Sequence, residues 1–187
     1  NPINPYGRSK LMVERVLEDI CTANDFNATC LRYFNAAGAH PSGEIGEAHD
    51  PETHLIPNVF KAMTSREKKL AVFGNDYPTP DGTCVRDYIH VIDLVRAHLL
   101  SIEYMKKNNG FSVFNLGNGD GFSVLDIIGG CQRIARSEIS YSLRERREGD
   151  PARLVSDSRA AKRALHWSPQ YTSIDSILAS AWVWHKQ

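Results

Sequence analysis

Apolar residues recur at helical spacing near the start of the chain, and a short run of strand-preferring residues follows them. Apolar side chains at positions 13, 16, 17, 20 and 21 predict a helix over residues 5–22, with Pro5 tolerated in its first turn. The next segment, Ala-Thr-Cys-Leu-Arg-Tyr-Phe over residues 28–34, predicts a buried parallel strand. Helix and strand in this alternation indicate an α/β protein.

The pattern predicts further helices and strands up to the end of the chain. Residues 41–54 are polar and predict an ordered loop, because they contain glycines and prolines at turn positions. Beyond this loop the pattern predicts a helix starting near Leu55, a strand at 70–73, a helix at 94–107 capped by Asp93, a strand at 111–116, a helix at 124–136 with Ser123 and Asp126 as a capping box, and closing helices at 158–166 and 173–185.

Composition limits the classes of protein to consider. The chain has 187 residues, 42% hydrophobic and 24% charged, so it is long enough to bury a substantial core as one or two domains. Lys plus Arg and Asp plus Glu both number 22, so we expect neither a nucleic-acid partner nor an anionic membrane. No apolar run approaches the roughly 18 residues that span a bilayer, and we expect a soluble, cytoplasmic protein.

The cysteines and histidines predict no metal site. Cys21, Cys30, Cys84 and Cys131 are far apart and form no Cys-x-x-Cys, so we expect reduced thiols. Three histidines in or directly before the polar loop have a spacing that matches no familiar ligand pattern: His40, His49 and His54. We therefore expect histidines that are hydrogen-bonded or face solvent, and no metal ion.

Tyr6 and Lys10 are the first candidates for chemistry. They stand at i and i+4 of the first predicted helix, which places both side chains on one face. A nearby ammonium favours the phenolate, so the pair is suited to taking a proton from an alcohol. The alternative is a surface tyrosine beside a solvated lysine, because Tyr-x-x-x-Lys arises by chance in many helices.

The segment Asn4-Pro5-Tyr6-Gly7-Arg8-Ser9-Lys10 resembles the extended short-chain dehydrogenase/reductase family, whose members bind NAD on a Rossmann-type sheet. The resemblance implies that Tyr6 is the catalytic base, that Lys10 holds the nicotinamide ribose, and that Tyr6, Lys10 and Phe34 contact NAD. No Gly-x-Gly-x-x-Gly occurs in the chain. We therefore expect a carboxyl-terminal portion of a longer protein, in which the first βαβ units lie upstream.

Two further stretches narrow the resemblance. Residues 35–41 follow the predicted strand at 28–34, and the carboxyl ends of parallel strands are where open α/β sheets bind ligands. An ordinary glycine-containing loop is the alternative. The sequence Arg-Tyr-Phe-Asn-Ala-Ala-Gly-Ala, together with Phe-Gly-Asn-Asp-Tyr-Pro-Thr and Val-Arg-Asp-Tyr-Ile-His-Val over residues 73–91, resembles the UDP-glucose 4-epimerases.

Arg86 is the most informative residue of the second stretch. It stands where a long polar loop enters an apolar segment, and a guanidinium there could grip a diphosphate bidentately. The alternative is a structural ion pair between Arg86 and Asp87.

The resemblance also implies a set of substrate contacts. Ala71, Val72 and Phe73 would hold the uracil through their backbone, Arg86 and Arg147 the diphosphate, and Asp150 the uridine ribose. The remaining contacts to the nucleotide sugar would come from Asn35, His54, Leu55, Val124 and Leu154. Many members carry asparagine at the position of His54 and tyrosine at that of Leu154, so this chain departs from the pattern at both.

We expect a partial NAD-binding Rossmann-type domain plus a smaller mixed α/β substrate domain. Residues 1–38 would end the dinucleotide-binding domain, 39–87 would enter the substrate domain, 88–117 would return, and 118–187 would complete the sugar-nucleotide pocket. The implied activity is interconversion of UDP-glucose and UDP-galactose by transient oxidation at carbon 4 with bound NAD, in a homodimer. UDP-GlcNAc and UDP-GalNAc are further candidate substrates. A sugar-nucleotide dehydratase or decarboxylase and a non-catalytic UDP-sugar-binding module are the alternatives.

Overall fold

The computed structural model describes residues 2–65 and 69–187. Along the chain the elements are α1 (Pro5–Ala23), β1 (Ala28–Tyr33), β2 (Asn35–Ala37), α2 (Leu55–Thr64), β3 (Leu70–Phe73), β4 (Val85–Arg86), β5 (Tyr88–His90), α3 (Val91–Met105), β6 (Phe111–Leu116), β7 (Phe122–Ser123), α4 (Val124–Ala135), β8 (Tyr141–Arg144), β9 (Arg153–Leu154), α5 (Arg159–Ala164) and α6 (Ile174–His185). The predicted strands at 70–73 and 111–116 are confirmed with the same bounds, and the predicted helix at 5–22 is one residue longer.

Local capping explains where two of the helices begin. At α4 the predicted capping box is confirmed: Ser123 Oγ accepts the Asp126 N–H at 2.9 Å, and Asp126 Oδ2 accepts the Ser123 N–H at 2.9 Å. The predicted cap of α3 is wrong. The helix begins at Val91, where His90 Nδ1 accepts the Ile92 N–H at 3.1 Å.

Asp93 instead joins α3 to the end of the chain. Its buried carboxylate accepts the N–H groups of Gln170 at 2.7 Å and Tyr171 at 2.8 Å. Because both partners lie more than 70 positions away, helix spacing alone could not reveal this role.

Parallel strands form the first of two cores. β1 pairs with β6 from Ala28 opposite Phe111 to Tyr33 opposite Leu116, and β2 pairs in parallel with β5. The helices α3 and α5 pack on these strands. The buried apolar residues of this core are Ile89, Leu94, Ala97, Phe114, Leu116, Ala161, Leu165 and Trp167.

The second core lies between α2, α4 and α6 and the short strand β3, which pairs in parallel with β8. Its largest fully buried side chains include Phe60, Ile127, Ile177 and Leu178. A three-stranded sheet in the order β7, β4, β9 lies beside it. Within residues 118–187, α5 therefore packs with the first core while α4 and α6 pack with the second. The domain boundaries given above stay a prediction.

α1 buries none of its own side chains. Three residues of its predicted apolar face, Val13, Val16 and Ile20, are exposed, and so is Met12. Over the described ranges, 2–65 and 69–187, none of the helices combines the length and the apolar content needed to cross a membrane.

Candidate functional site

A cavity of about 880 Å³ opens beside the carboxyl ends of β1 and β3 and the amino end of α2. The predicted site residues that line it are Tyr6, Phe34, Asn35, His54, Leu55, Ala71, Val72, Phe73, Arg86, Val124, Arg147, Asp150 and Leu154. They come from segments that span almost 150 positions of the chain. The structure thus brings together a set of residues that the sequence connected only by resemblance, while their individual roles stay predictions.

Tyr6 and Lys10 share one face of α1, as their spacing predicts. Lys10 Nζ lies 5.4 Å from the centroid of the Tyr6 ring, within the range in which an ammonium is attracted to an aromatic face. The first turn that carries Tyr6 is held by Asn4, whose Oδ1 accepts the Gly7 N–H at 2.8 Å. Tyr6 itself is 72% exposed, so its hydroxyl is accessible from the cavity.

Two other tyrosines, Tyr33 and Tyr88, also line the cavity. Tyr88 is buried, and burial raises its pKa well above the usual value for a phenol. Tyr88 is therefore a poor candidate for a base near neutral pH.

Arg86 is held in place by three acceptors. Its Nη1 donates to the carbonyl oxygens of Val85 and Pro151, both at 2.8 Å, and its Nη2 donates to Asp150 Oδ1 at 2.7 Å. The guanidinium is largely buried at the cavity wall. The alternative ion pair between Arg86 and Asp87 is wrong, because the partner of Arg86 is Asp150.

Asp87 has a separate structural role that the sequence did not reveal. It is fully buried, and its Oδ1 accepts the Asn118 N–H while its Oδ2 accepts the N–H groups of Gly119 and Ser156, all at 3.0 Å. Ser156 Oγ donates to the same Oδ2 at 2.5 Å. Asp87 therefore ties two loops to the strand segment that carries Arg86. A carboxylate directly before the strand-preferring pair Tyr88-Ile89 was the available signal.

Arg147 also lines the cavity. Its guanidinium carbon is 4.0 Å from the centroid of the Phe73 ring, so a cation–π contact holds it beside the end of β3. Among the described residues β3 pairs only with β8, which leaves one edge of Ala71, Val72 and Phe73 without a strand partner. Backbone N–H and C=O groups on such an edge are free to pair with the polar edge of a base.

The two positions that depart from the epimerase pattern both line the cavity. Leu154 lies opposite Arg86 in the parallel pairing of β4 with β9 and is about half exposed. His54 immediately precedes α2, and its imidazole contacts the carboxylate of Glu47. His40 takes no part in this contact with Glu47. Its Nδ1 is hydrogen-bonded to Ser42 Oγ at 2.8 Å.

Arg32 is a charged lining residue that the sequence reading missed. Its Nε donates to Glu14 Oε1 at 2.6 Å, and the guanidinium and carboxylate form an ion pair that ties β1 to α1. Hydrogen bonding to Arg32 lowers the pKa of Glu14 despite partial burial. The available signal was a single arginine in a strand, whose partner the sequence does not specify.

A family model described as the NAD dependent epimerase/dehydratase family matches residues 1–117. The chain belongs to this epimerase/dehydratase family. It is 47% identical over 186 residues to the UDP-glucose 4-epimerase of Lactobacillus helveticus, covering 100% of this chain and 56% of that protein.

Solved structures of the family have the same fold. The UDP-glucose 4-epimerase of Bifidobacterium longum in complex with NAD+ and UDP is 40% identical with a TM-score of 0.93, over 100% of this chain and 56% of that one. The UDP-Glc/GlcNAc 4-epimerase of Campylobacter jejuni is 43% identical with a TM-score of 0.78, over 100% and 57%.

These findings confirm the resemblance and the Rossmann-type α/β fold that the sequence predicted. The chain spans a little over half the length of the relatives that it matches. That it is their carboxyl-terminal portion stays a prediction.

Proposed function

We propose that the full-length protein containing this chain is an NAD-dependent epimerase that interconverts UDP-glucose and UDP-galactose. The observation that carries the proposal is the meeting of Tyr6, Arg86, Arg147 and Asp150 on one cavity. A proton-accepting phenol and two guanidiniums that line one cavity suit an alcohol joined to a diphosphate. Family membership and the UDP-glucose 4-epimerase relatives support the same substrate class.

Each of the predicted site residues has a distinct role in the proposed reaction. Tyr6 removes the proton of the sugar 4-hydroxyl and later returns it, and Lys10, one helical turn away, holds the nicotinamide ribose. Arg86 and Arg147 hold the diphosphate while Asp150 binds the ribose. With UDP anchored in this way, the hexose can present either face of carbon 4 to the same side of the cavity.

The residues present fit an NAD nicotinamide. Tyr6 and Phe34 line the cavity, and Lys10, which is exposed one helical turn from Tyr6 and does not itself line the cavity, would hold the ribose. When bound, NAD supplies the acceptor and donor of the hydride at carbon 4.

Two features support our proposal that the full-length protein is a homodimer in the cytoplasm. Exposed apolar residues on α1 and α3 suit burial in a homodimer and against the remainder of the protein: Met12, Val13, Val16, Ile20, Val95, Leu99 and Ile102. The four cysteines are free thiols, which is typical of the reducing cytoplasm.

The test uses the full-length protein and its Tyr6→Phe variant. Wild type should carry NAD and convert UDP-galactose to UDP-glucose, and the loss of general-base help should lower turnover by about 100- to 10,000-fold. UDP affinity, measured by titration calorimetry, should stay close to that of wild type.

Tyr141→Phe is the matched control, because it removes an exposed phenolic hydroxyl outside the cavity. Its turnover should equal that of wild type. A loss below tenfold in Tyr6→Phe would remove Tyr6 from the mechanism. Release of water or carbon dioxide from the UDP-sugar would favour a dehydratase or decarboxylase, and UDP binding without turnover would favour a non-catalytic module.

A further inference from the structure

Four side chains from the loop before α2 converge at one point: Glu47, His49, Glu52 and His54, here called the four-residue cluster. Each offers one potential ligand atom, and these atoms all lie within 4.8 Å of one another. The spacing is Glu-x-His-x-x-Glu-x-His, so an eight-residue stretch supplies the whole set. His40, directly before the loop, is hydrogen-bonded to Ser42 instead.

The distances within the four-residue cluster bracket those between the ligands of a tetrahedral site. His49 Nδ1 lies 3.1 Å from Glu47 Oε1 and 3.7 Å from Glu52 Oε1, and His54 Nδ1 lies 3.9 Å from Glu52 Oε1. Donors at about 2.0–2.1 Å from a tetrahedral zinc ion are about 3.3 Å from one another. These three separations lie near that value. His54 Nδ1 and Glu47 Oε1 are closer together than two ligands of one ion, so these two side chains would move apart to admit it.

Glu52 provides a second, independent observation. Its side chain is only 3% exposed, and its Oε1 is fixed by the N–H groups of Thr53 at 2.8 Å and His54 at 2.9 Å. Its Oε2 is buried with no hydrogen-bond partner among the described residues. A buried carboxylate oxygen without a partner is costly unless a cation or a donor satisfies it.

The charges of the four-residue cluster also favour a bound cation. Two carboxylates within 4.8 Å of each other repel, and the two imidazoles beside them carry no compensating charge when neutral. A divalent cation would neutralise both carboxylates and accept the lone pairs of the imidazole nitrogens. Imidazole nitrogen with carboxylate oxygen favours zinc and similar transition metals over magnesium or calcium, which prefer oxygen ligands alone.

We propose that the four-residue cluster binds a divalent transition metal ion, with Zn²⁺ as the best-suited ion. The surrounding structure positions the loop for this role, because Trp184 Nε1 donates to the Glu47 carbonyl oxygen at 2.8 Å. His54 and Glu47 also line the large cavity. The bound ion would therefore fix the cavity wall at the start of α2. The proposal does not depend on epimerase turnover, although His54 is also one of the predicted substrate contacts.

The test is a Zn²⁺ titration of the full-length protein, made without a histidine tag, by calorimetry and by competition with a metal-binding dye. Wild type should bind one Zn²⁺ at this site, and excess Mg²⁺ or Ca²⁺ should not displace it. Zn²⁺ should also raise the unfolding temperature, because a ligand that binds only the folded state stabilises it.

His49→Ala is the informative variant, because the His49 side chain is 54% exposed and its loss leaves the core intact. Loss of a direct ligand should weaken Zn²⁺ binding by at least about 100-fold, the upper end of what the loss of an outer-shell partner costs. Glu52→Gln, which keeps the side-chain shape, should do the same. His40→Ala is the matched control and should bind as wild type does.

Absence of Zn²⁺ binding by wild type would overturn the proposal. So would a folded His49→Ala or Glu52→Gln protein, with a wild-type unfolding temperature in the absence of metal, whose affinity falls by less than tenfold. Because neither variant is read through turnover, this result is separate from the outcome for Tyr6→Phe.

Discussion

Arg86 and Asp150, which stand 64 positions apart, form an ion pair of 2.7 Å on the wall of the large cavity. The pair joins the two residues that we expect to hold the diphosphate and the ribose of the same UDP-sugar. A guanidinium can keep this contact and two carbonyl contacts while its remaining N–H groups face a ligand. The ion pair therefore orients Arg86 without using up its donors.

Replacing Arg86 by lysine should weaken UDP binding to the full-length protein. A single ammonium cannot reproduce the planar fork that contacts Val85, Pro151 and Asp150, so the charge would be less well placed. Loss of a charge-assisted hydrogen bond is worth about 1.5–3 kcal/mol, so the Kd for UDP should rise about 10- to 100-fold. Titration calorimetry measures this. Arg159→Lys, outside the cavity, should leave the Kd unchanged, and an equal Kd for Arg86→Lys would exclude the proposed diphosphate contact.

Asp87→Asn should destabilise the fold. The Asp87 carboxylate now accepts hydrogen bonds from the N–H groups of Asn118, Gly119 and Ser156. The amide of asparagine would place an NH₂ group, itself a donor, against some of these N–H groups. Leaving such buried groups unpaired should lower the free energy of unfolding by about 3 kcal/mol, measured by urea denaturation. Asp19→Asn, on the exposed face of α1, should change it by less than about 0.5 kcal/mol. Equal stabilities for the two variants would show that the Asp87 network contributes little.

Leu154→Tyr should change substrate preference rather than overall activity. In the proposed binding mode Leu154 lies beside the hexose and leaves more room there than a tyrosine would, so we expect the full-length wild-type protein to convert UDP-GlcNAc as well as UDP-glucose. Pocket shape discriminates by about 1–3 kcal/mol, so Leu154→Tyr should lower kcat/KM for UDP-GlcNAc by about 10-fold or more relative to UDP-glucose.

Leu143→Tyr, an exposed leucine on β8 outside this cavity, is the control and should leave the ratio unchanged. If wild type has no activity on UDP-GlcNAc, or if both reactions fall equally in Leu154→Tyr, position 154 does not set the specificity.

His90 should make stability depend on pH. Burial lowers the pKa of His90 below its ordinary value, and His90 Nδ1 accepts the Ile92 N–H in the neutral ring. Between the folded and unfolded pKa values the unfolded chain binds more protons, so stability is lost as the pH falls below about 6.5. Urea denaturation at about pH 7.5 and about pH 5.5 should show this loss, and His90→Gln should reduce it.

His40→Gln, at an exposed position, should keep the wild-type pH dependence. His185, whose pKa burial also lowers, should account for part of the dependence that remains in His90→Gln. An unchanged pH dependence in His90→Gln would assign the effect to other groups.

Local sequence predicted the elements whose stabilising contacts lie a few residues apart. The Tyr6–Lys10 face and the Ser123–Asp126 capping box follow from helix periodicity, because partners at i+3 or i+4 meet wherever the helix forms. Asp93 shows the limit of this reasoning. Its position predicted a helix cap, but in the folded chain its buried carboxylate accepts hydrogen bonds from backbone N–H groups near the end of the chain.

The sequence by itself determined the α/β alternation, the phenol and ammonium on one helix face, and, through resemblance, the residues that meet at the cavity. Tertiary structure alone decided that Arg86 pairs with Asp150 rather than with its neighbour Asp87. It also decided that His49 and His54, but not His40, meet two carboxylates. The physical reason is that side-chain partners across loops depend on chain packing and on which polar groups burial must satisfy, and neither follows from local spacing.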